Sequence, residues 1–185
     1  MRLDRVLSAA ATVLLAAALT STGTAGADEQ DKRCVSPTIS QEMLTAHNKY
    51  RARHSAPPLV LDATISTWAQ EWADHLARTD QFAHRTQNKY GENLYMSWVS
   101  DPSRQLGGET VVQAWYNEIR DYDFNNPDDT ANHRKAGHFT QTVWKSSRQL
   151  GIGASCYGST AYVVANYAPT GNIIGQFAQN VGRLG

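Results

Sequence analysis

Cysteine is nearly absent. Cys34 and Cys156 are the only two in 185 residues, so no multi-disulfide framework holds this chain together. An excess of charge is absent as well. Seventeen basic residues face 17 acidic ones, which gives no electrostatic reason to expect nucleic acid or an anionic membrane as a partner. The local cluster Lys49-Tyr50-Arg51-Ala52-Arg53 reads as a solvated helix face. No apolar run is long enough to span a membrane: residues 6–19 are too few and too soon interrupted, and nothing later comes closer. There is no H-E-x-x-H on a helix and no G-x-S-x-G, so neither a short zinc motif nor a serine-hydrolase elbow is indicated. Gly151-Ile152-Gly153 lacks a third glycine and enters a strand, which argues against nucleotide binding. Internal repeats and low-complexity blocks are missing too.

What is present begins with an address. Arg2 and Arg5 precede the apolar run, small polar residues follow, and Ala25-Gly26-Ala27 fits an A-x-A cleavage site. The expectation is a signal peptide over 1–27, cut after Ala27, with an uncleaved anchor as the alternative. Losing Arg2, Arg5 and Asp4 leaves 15 of the 17 basic and 16 of the 17 acidic residues. The chain is then expected to be secreted and extracellular, with a leader over 28–37 and one domain over 38–183. Outside the cell Cys34 and Cys156 can oxidise together. Such a bridge would stabilise by up to about 4–5 kcal/mol in the chain-entropy model; two separate thiols are the alternative.

Apolar spacing places the elements. Ile39, Met43, Ala46 and Tyr50 recur at helical intervals, with Ser36-Pro37 or Ser40 as caps and residues 54–58 as the stop. Asp62 opens a second helix, in which Ile65, Trp68, Ala69, Trp72 and Leu76 put two tryptophans on one buried face. Residues 80–92 read as loop, 93–99 as a short strand and 101–108 as a turn region. A third helix is expected over 109–120, then a long surface loop over 121–135. Residues 139–144 suit a short helix or a strand. Runs at 151–157 and 161–167, joined at Gly158-Ser159-Thr160, read as a hairpin; a Pro-Gly turn over 168–172 and an extended piece over 173–177 follow. Helices first and a hairpin last argue for an α+β fold, helices packed on an antiparallel sheet.

Ligand-type residues stand in four polar or glycine-bounded contexts: His84 in Phe82-Ala83-His84-Arg85, Glu92 in Gly91-Glu92-Asn93, Glu118 near the end of the third helix, and His138 in Gly137-His138-Phe139. Two imidazoles and two carboxylates suit Zn²⁺ and, less well, other divalent cations; they equally suit acid–base pairs. Their spacing matches no short metal motif. His47 falls on the buried side of the first helix and reads as a core histidine, Arg51 as a tie from helix to loop, His75 and His133 as surface residues. Asn93 reads as shaping the turn, and Tyr95, Trp98 and Tyr122 as groove-lining candidates.

A resemblance sharpens this. Gly137-His138-Phe139-Thr140-Gln141-Thr142-Val143-Trp144-Lys145-Ser146-Ser147 resembles the first signature of the CAP superfamily, the cysteine-rich secretory, antigen five and pathogenesis-related proteins with their SCP domain. Val163-Val164-Ala165-Asn166-Tyr167-Ala168-Pro169-Thr170-Gly171-Asn172-Ile173 resembles the second. His47-Asn48-x-x-Arg51, Gly91-Glu92-Asn93 and Trp115-Tyr116-Asn117-Glu118 fall in the family's order, and the resemblance covers residues 40–181. Thr142 and Ala165 depart from it, standing where an aliphatic residue and, in many secreted members, a cysteine are usual.

The resemblance implies a three-layer α-β-α sandwich in a bacterial or microbial secreted protein. It implies that His84, Glu92, Glu118 and His138 converge in a ligand cleft able to hold a divalent metal. It also implies a lipid, sterol, glycan or protein as ligand. Two functions follow, and a structural metal or polar network that stabilises the cleft is the third alternative. One is a binding module; the other is a metal-dependent hydrolase, protease-like or esterase-like. With four side chains on a metal no protein base stays spare, and no nucleophile stands out, so binding is the favoured reading.

Overall fold

The computed structural model describes residues 34–101 and 104–185. The signal peptide expected over 1–27, its cleavage point and the first part of the leader lie outside the described residues. Helix α1 spans Ile39–Arg53 and buries Ile39, Met43, Ala46 and Tyr50, the stripe its spacing foretells. Neither Ser36 nor Ser40 caps it. Thr38 holds the N-cap position without a side-chain cap bond, and the hydroxyls of Ser36 and Thr38 instead donate to the Glu42 carboxylate. The other oxygen of Glu42 accepts the Gly108 N–H at 2.7 Å. It thereby takes the first free donor of α3 (Gly108–Tyr116), whose own N-cap is a glycine. These bonds, Ser36 first, hold the Glu42 carboxyl below its ordinary pKa.

Helix α2 (Ala63–Thr79) starts where Asp62 accepts the Ile65 N–H. Four strands follow the order β1-β3-β4-β2, with β1 at Val60–Leu61, β2 at Gly91–Trp98, β3 at Gln149–Tyr157 and β4 at Thr160–Ala168. The β3–β4 hairpin and the β2–β4 pair are antiparallel. The two-residue β1, which the sequence did not suggest, runs parallel to β3. Gly158 turns the hairpin at φ +54°, in a left-handed conformation that costs glycine nothing.

Alternation along β4 divides the core. Ala161, Val163, Ala165 and Tyr167 join the cluster under α1, α3 and α4 (Thr130–Val143), while Tyr162 and Val164 join a smaller one under α2 with Ala69, Ala73, Leu76 and Leu94. The sheet is thus covered on both faces, which is the α-β-α sandwich. Gly151 and Gly153 explain how closely α2 lies: a Cβ on either would stand 2.3 Å from the α2 backbone, at Ile65 and Ala69. The G-x-G pair is therefore a packing device. Past β1, α2 covers the β3 edge, with Gln70 exchanging side-chain bonds with the N–H and C=O of Ala154.

The Cys34–Cys156 bridge is formed, with Cα atoms 6.1 Å apart. The core role holds for His47, bonded to Met43 O and Tyr167 OH, and the expected tie from helix to loop for Arg51, which donates to the carbonyls of Pro57, Thr142, Trp144 and Ser147. Arg51 and Tyr50 are buried, so the basic cluster on α1 is not one solvated face.

Four further expectations are corrected. The third helix ends at Tyr116 and gives way to a 3₁₀ turn, Asn117–Asp121. The surface loop stops at 129, because α4 begins at Thr130. Residues 173–176 are not extended strand and lead into the short helix α5, Phe177–Asn180. Tyr122 does not line a groove; it is buried in the aromatic core with Phe124 and Phe139.

Candidate functional site

The four ligand-type residues come as two histidine–glutamate pairs. Glu92 is the second residue of β2, opposite Asn166 of β4, and its side chain is only 4% exposed. His84 lies in the loop 80–90 between α2 and β2, its side chain 66% exposed. Nδ1 of His84 meets Oε1 of Glu92 at 2.8 Å. The same oxygen accepts the Arg85 N–H at 3.1 Å, and Oε2 accepts from Asn166 Nδ2 at 3.4 Å. The hydrogen bond that His84 donates to Glu92 raises the His84 pKa above its ordinary value, against a smaller lowering by burial.

The second pair is built at a helix break. Ala136 leaves helical geometry at φ −131°, ψ 25°, and α4 restarts beyond it. The freed N–H groups of His138 and Phe139 donate to Oε2 of Glu118, at 2.9 and 3.3 Å. A carboxylate at that point offsets the helix dipole as well as filling the bonds. Oε1 of Glu118 holds Nδ1 of His138 at 2.7 Å, and the Trp115 ring lies nearly parallel to the imidazole, 18° off and 6.0 Å between centroids.

Both imidazoles thus place Nδ1 on a carboxylate, so that in the neutral ring the proton sits on Nδ1 and Nε2 carries the lone pair. Both carboxylates have each oxygen occupied by N–H donors. Among the described residues no three His, Cys, Asp or Glu side chains gather closely enough to hold a metal ion.

The supports around the pairs differ from expectation. Asn93 shapes no turn: it is buried in β2 and reaches His138 O, Thr142 Oγ1 and Tyr167 OH. Thr142, the departure from the first signature, donates in turn to His138 O. Gln141 fills the space above Gly91 and accepts from Gly171 N. Trp68 and Trp72 are only half-buried, Trp72 packing against the smaller core cluster under α2. Trp72 donates to Ala83 O, and the Arg85 guanidinium lies over Trp68 at 3.5 Å. His75 stacks on Trp72 and His133 on Phe177, so neither is a free surface histidine. Trp98 is 72% exposed on β2.

Comparison with known proteins gives a consistent answer. The family model described as CAP, cysteine-rich secretory protein family, matches residues 44–167. The human Golgi-associated plant pathogenesis-related protein 1 is 37% identical over 155 residues, covering 80% of this chain and 96% of that one. Pathogenesis-related protein 1C of Nicotiana tabacum is 33% identical, covering 77% of this chain and 82% of its own. Protein PRY2 of Saccharomyces cerevisiae is 38% identical, but the chain spans only 41% of its length. Among solved structures, BmVAL-1 superposes with a TM-score of 0.65 at 23% identity over 82% of this chain and 84% of its own. NaASP2 with Zn²⁺ gives 0.62 at 22% over 82% and 88%; both speak to the fold. Human, plant and yeast relatives do not single out a bacterial or microbial member.

Proposed function

The chain belongs to the CAP, or cysteine-rich secretory protein, family, and from that membership we propose that it is a secreted binding protein whose cleft offers two carboxylate-held histidines to a divalent cation and its ligand. The observation that carries the reading is the shared geometry of the pairs: Nδ1 of His84 on Glu92 at 2.8 Å and Nδ1 of His138 on Glu118 at 2.7 Å.

The two imidazoles suit Zn²⁺ in donor type, and the ligand or water would have to complete the coordination, because no third protein donor stands with them among the described residues. Imidazole nitrogen is a preferred zinc donor, and a carboxylate behind the ring raises its basicity and fixes its orientation. His84 and His138 would hold the ion through Nε2, with Glu92 and Glu118 acting through the imidazoles. This differs from four protein ligands on one ion, because both carboxylates already accept N–H bonds at each oxygen. A bound cation would supply positive charge and Lewis acidity to an oxygen of the ligand. That NaASP2 has been crystallised with Zn²⁺ supports the choice of metal.

Binding is preferred to hydrolysis because neither glutamate is placed as a free base: each is tied to a ring and to backbone or amide N–H groups. The ligand class remains the one the family suggests, a lipid, sterol, glycan or protein. Secretion is supported by the A-x-A pattern, by the Cys34–Cys156 bridge, and by relatives such as the secreted protein RBT4 of Candida albicans. Among the described residues no helix is long and apolar enough to cross a membrane.

The test is metal analysis of protein taken from culture medium, joined to a screen with protease, esterase and glycosidase substrates. Bound metal with saturable ligand uptake and no turnover is expected. Turnover that survives further purification and vanishes in folded His84→Ala and His138→Ala variants would overturn the binding reading in favour of a metal-dependent hydrolase.

A further inference from the structure

His84 stands largely in solvent, on loop backbone, yet its ring meets a nearly buried carboxylate. An exposed side chain keeps such a position only where the backbone on both sides of it is fixed. The two tryptophans that the sequence pattern assigned to a buried face do this from consecutive turns of α2. Before His84, the carbonyl of Ala83 accepts Trp72 Nε1–H at 3.0 Å. After it, Arg85 lays its guanidinium over Trp68 at 3.5 Å from the ring centroid and donates to Trp68 O at 2.9 Å. Arg85 also reaches Glu71 Oε2 at 3.3 Å, and its own N–H shares Oε1 of Glu92 with His84. Farther along, Trp68 Nε1 donates to Asn88 at 3.2 Å, and Lys89 lies over the same ring at 4.4 Å.

These contacts pin the residues on either side of His84 and leave its own ring free except at Nδ1. A guanidinium on an indole face, with an added carbonyl bond, is a favourable contact that ties the loop to the helix. We propose that Trp68, Trp72 and Arg85 are positioning residues for His84: they clamp its loop to α2 so that Nδ1 stays on Glu92 and Nε2 is presented to the cation. The inference rests on the reading of His84 as a metal donor, and one of its two readouts is independent of metal.

The experiment uses the whole secreted protein, with Co²⁺ as the probe for affinity and ¹⁵N NMR of the metal-free imidazoles as the probe for tautomer. At a pH high enough to keep the ring neutral, wild type should show His84 protonated at Nδ1 and bare at Nε2. Arg85→Gln and Trp72→Phe should each average the two tautomers of His84 and leave the His138 signals in place. Each should weaken Co²⁺ by about tenfold, the lower end for a group that orients a metal-bound histidine. Arg85→Lys, which keeps a cation on Trp68, should recover part of the loss. If Arg85→Gln fails to fold, Trp72→Phe decides alone, since it loses one hydrogen bond and keeps an aromatic ring. Wild-type protein that binds no Co²⁺ would end the metal reading while the ring signals still decide the clamp. Unchanged His84 signals in the folded variants would overturn the clamp itself.

Discussion

Asn93 donates its side-chain amide to the backbone carbonyl of His138, 3.0 Å away, tying strand β2 to helix α4 directly beside one histidine of the site. The same amide nitrogen lies 3.2 Å from Tyr167 OH and 3.4 Å from Thr142 Oγ1. Asn93→Ala should therefore cost about 1–3 kcal/mol, the loss of buried bonds that no water replaces. Urea denaturation at neutral pH measures it. Asn93→Asp should cost more, because a buried carboxylate would face the His138 carbonyl. An alanine variant as stable as wild type would remove Asn93 from this role.

Stability should fall in acid through His47. Burial, the largest influence, lowers its pKa from 6.5 to about 4. Between those values the unfolded chain binds the proton and the folded chain does not, so stability is full above pH 6.5 and is lost as pH falls towards 4. The shift corresponds to a loss on the order of 3 kcal/mol. His54, also lowered chiefly by burial, acts with the same sign. His84 has the opposite sign: its raised pKa favours the folded state below pH 6.5, and that contribution is lost as pH rises through the raised value. Denaturation at pH 7 and pH 4.5 should show a smaller pH difference in His47→Gln than in wild type. Equal differences would refute the assignment.

Gly153→Ala should be among the most disruptive small substitutions in the chain. Its Cβ would stand 2.3 Å from backbone atoms of Ala69 and Gln70, so α2 would have to lift from the sheet. Overpacking of this kind costs about 1–3 kcal/mol or more. Thermal unfolding should report a clear loss, whereas normal stability would mean that α2 sits farther from β3.

Removing the bridge with Cys34→Ala and Cys156→Ala should destabilise by about 2–5 kcal/mol, since the two cysteines lie 122 residues apart. The fold should remain, because the double-layered core is not built on the disulfide. Equilibrium unfolding and circular dichroism separate the two effects. Loss of all secondary structure would contradict the second claim.

The architecture was legible where periodicity and turn chemistry agree. The α1 stripe, the Asp62 cap and the Gly158 hairpin are local signals, and the structure keeps them. The pairing of the four candidate residues was not legible in the sequence: nothing in the spacing says that Glu118 answers the N–H groups freed by a break at Ala136. Trp68 and Trp72 misled because helical spacing marks a face without saying what covers it, and here the cover is the loop carrying His84. The roles of Asn93 and Gln141 depend on strand register and on the close approach of glycines, which only the assembled sheet reveals. Strand β1, two residues long, is too short to leave a pattern.

The central claim is that His84 and His138 present Nε2 to one divalent cation. Calorimetric titration of the metal-free protein with Zn²⁺ at pH 7.5 and at lower pH tests it directly. Wild type should bind about one ion per chain. His84→Ala and His138→Ala, both folded, should each weaken it at least tenfold. Because a ligating imidazole must be neutral and Glu92 raises the His84 pKa, affinity should begin to fall while the pH is still above 6.5. No binding by wild type, or binding that both histidine variants leave intact, would contradict the account.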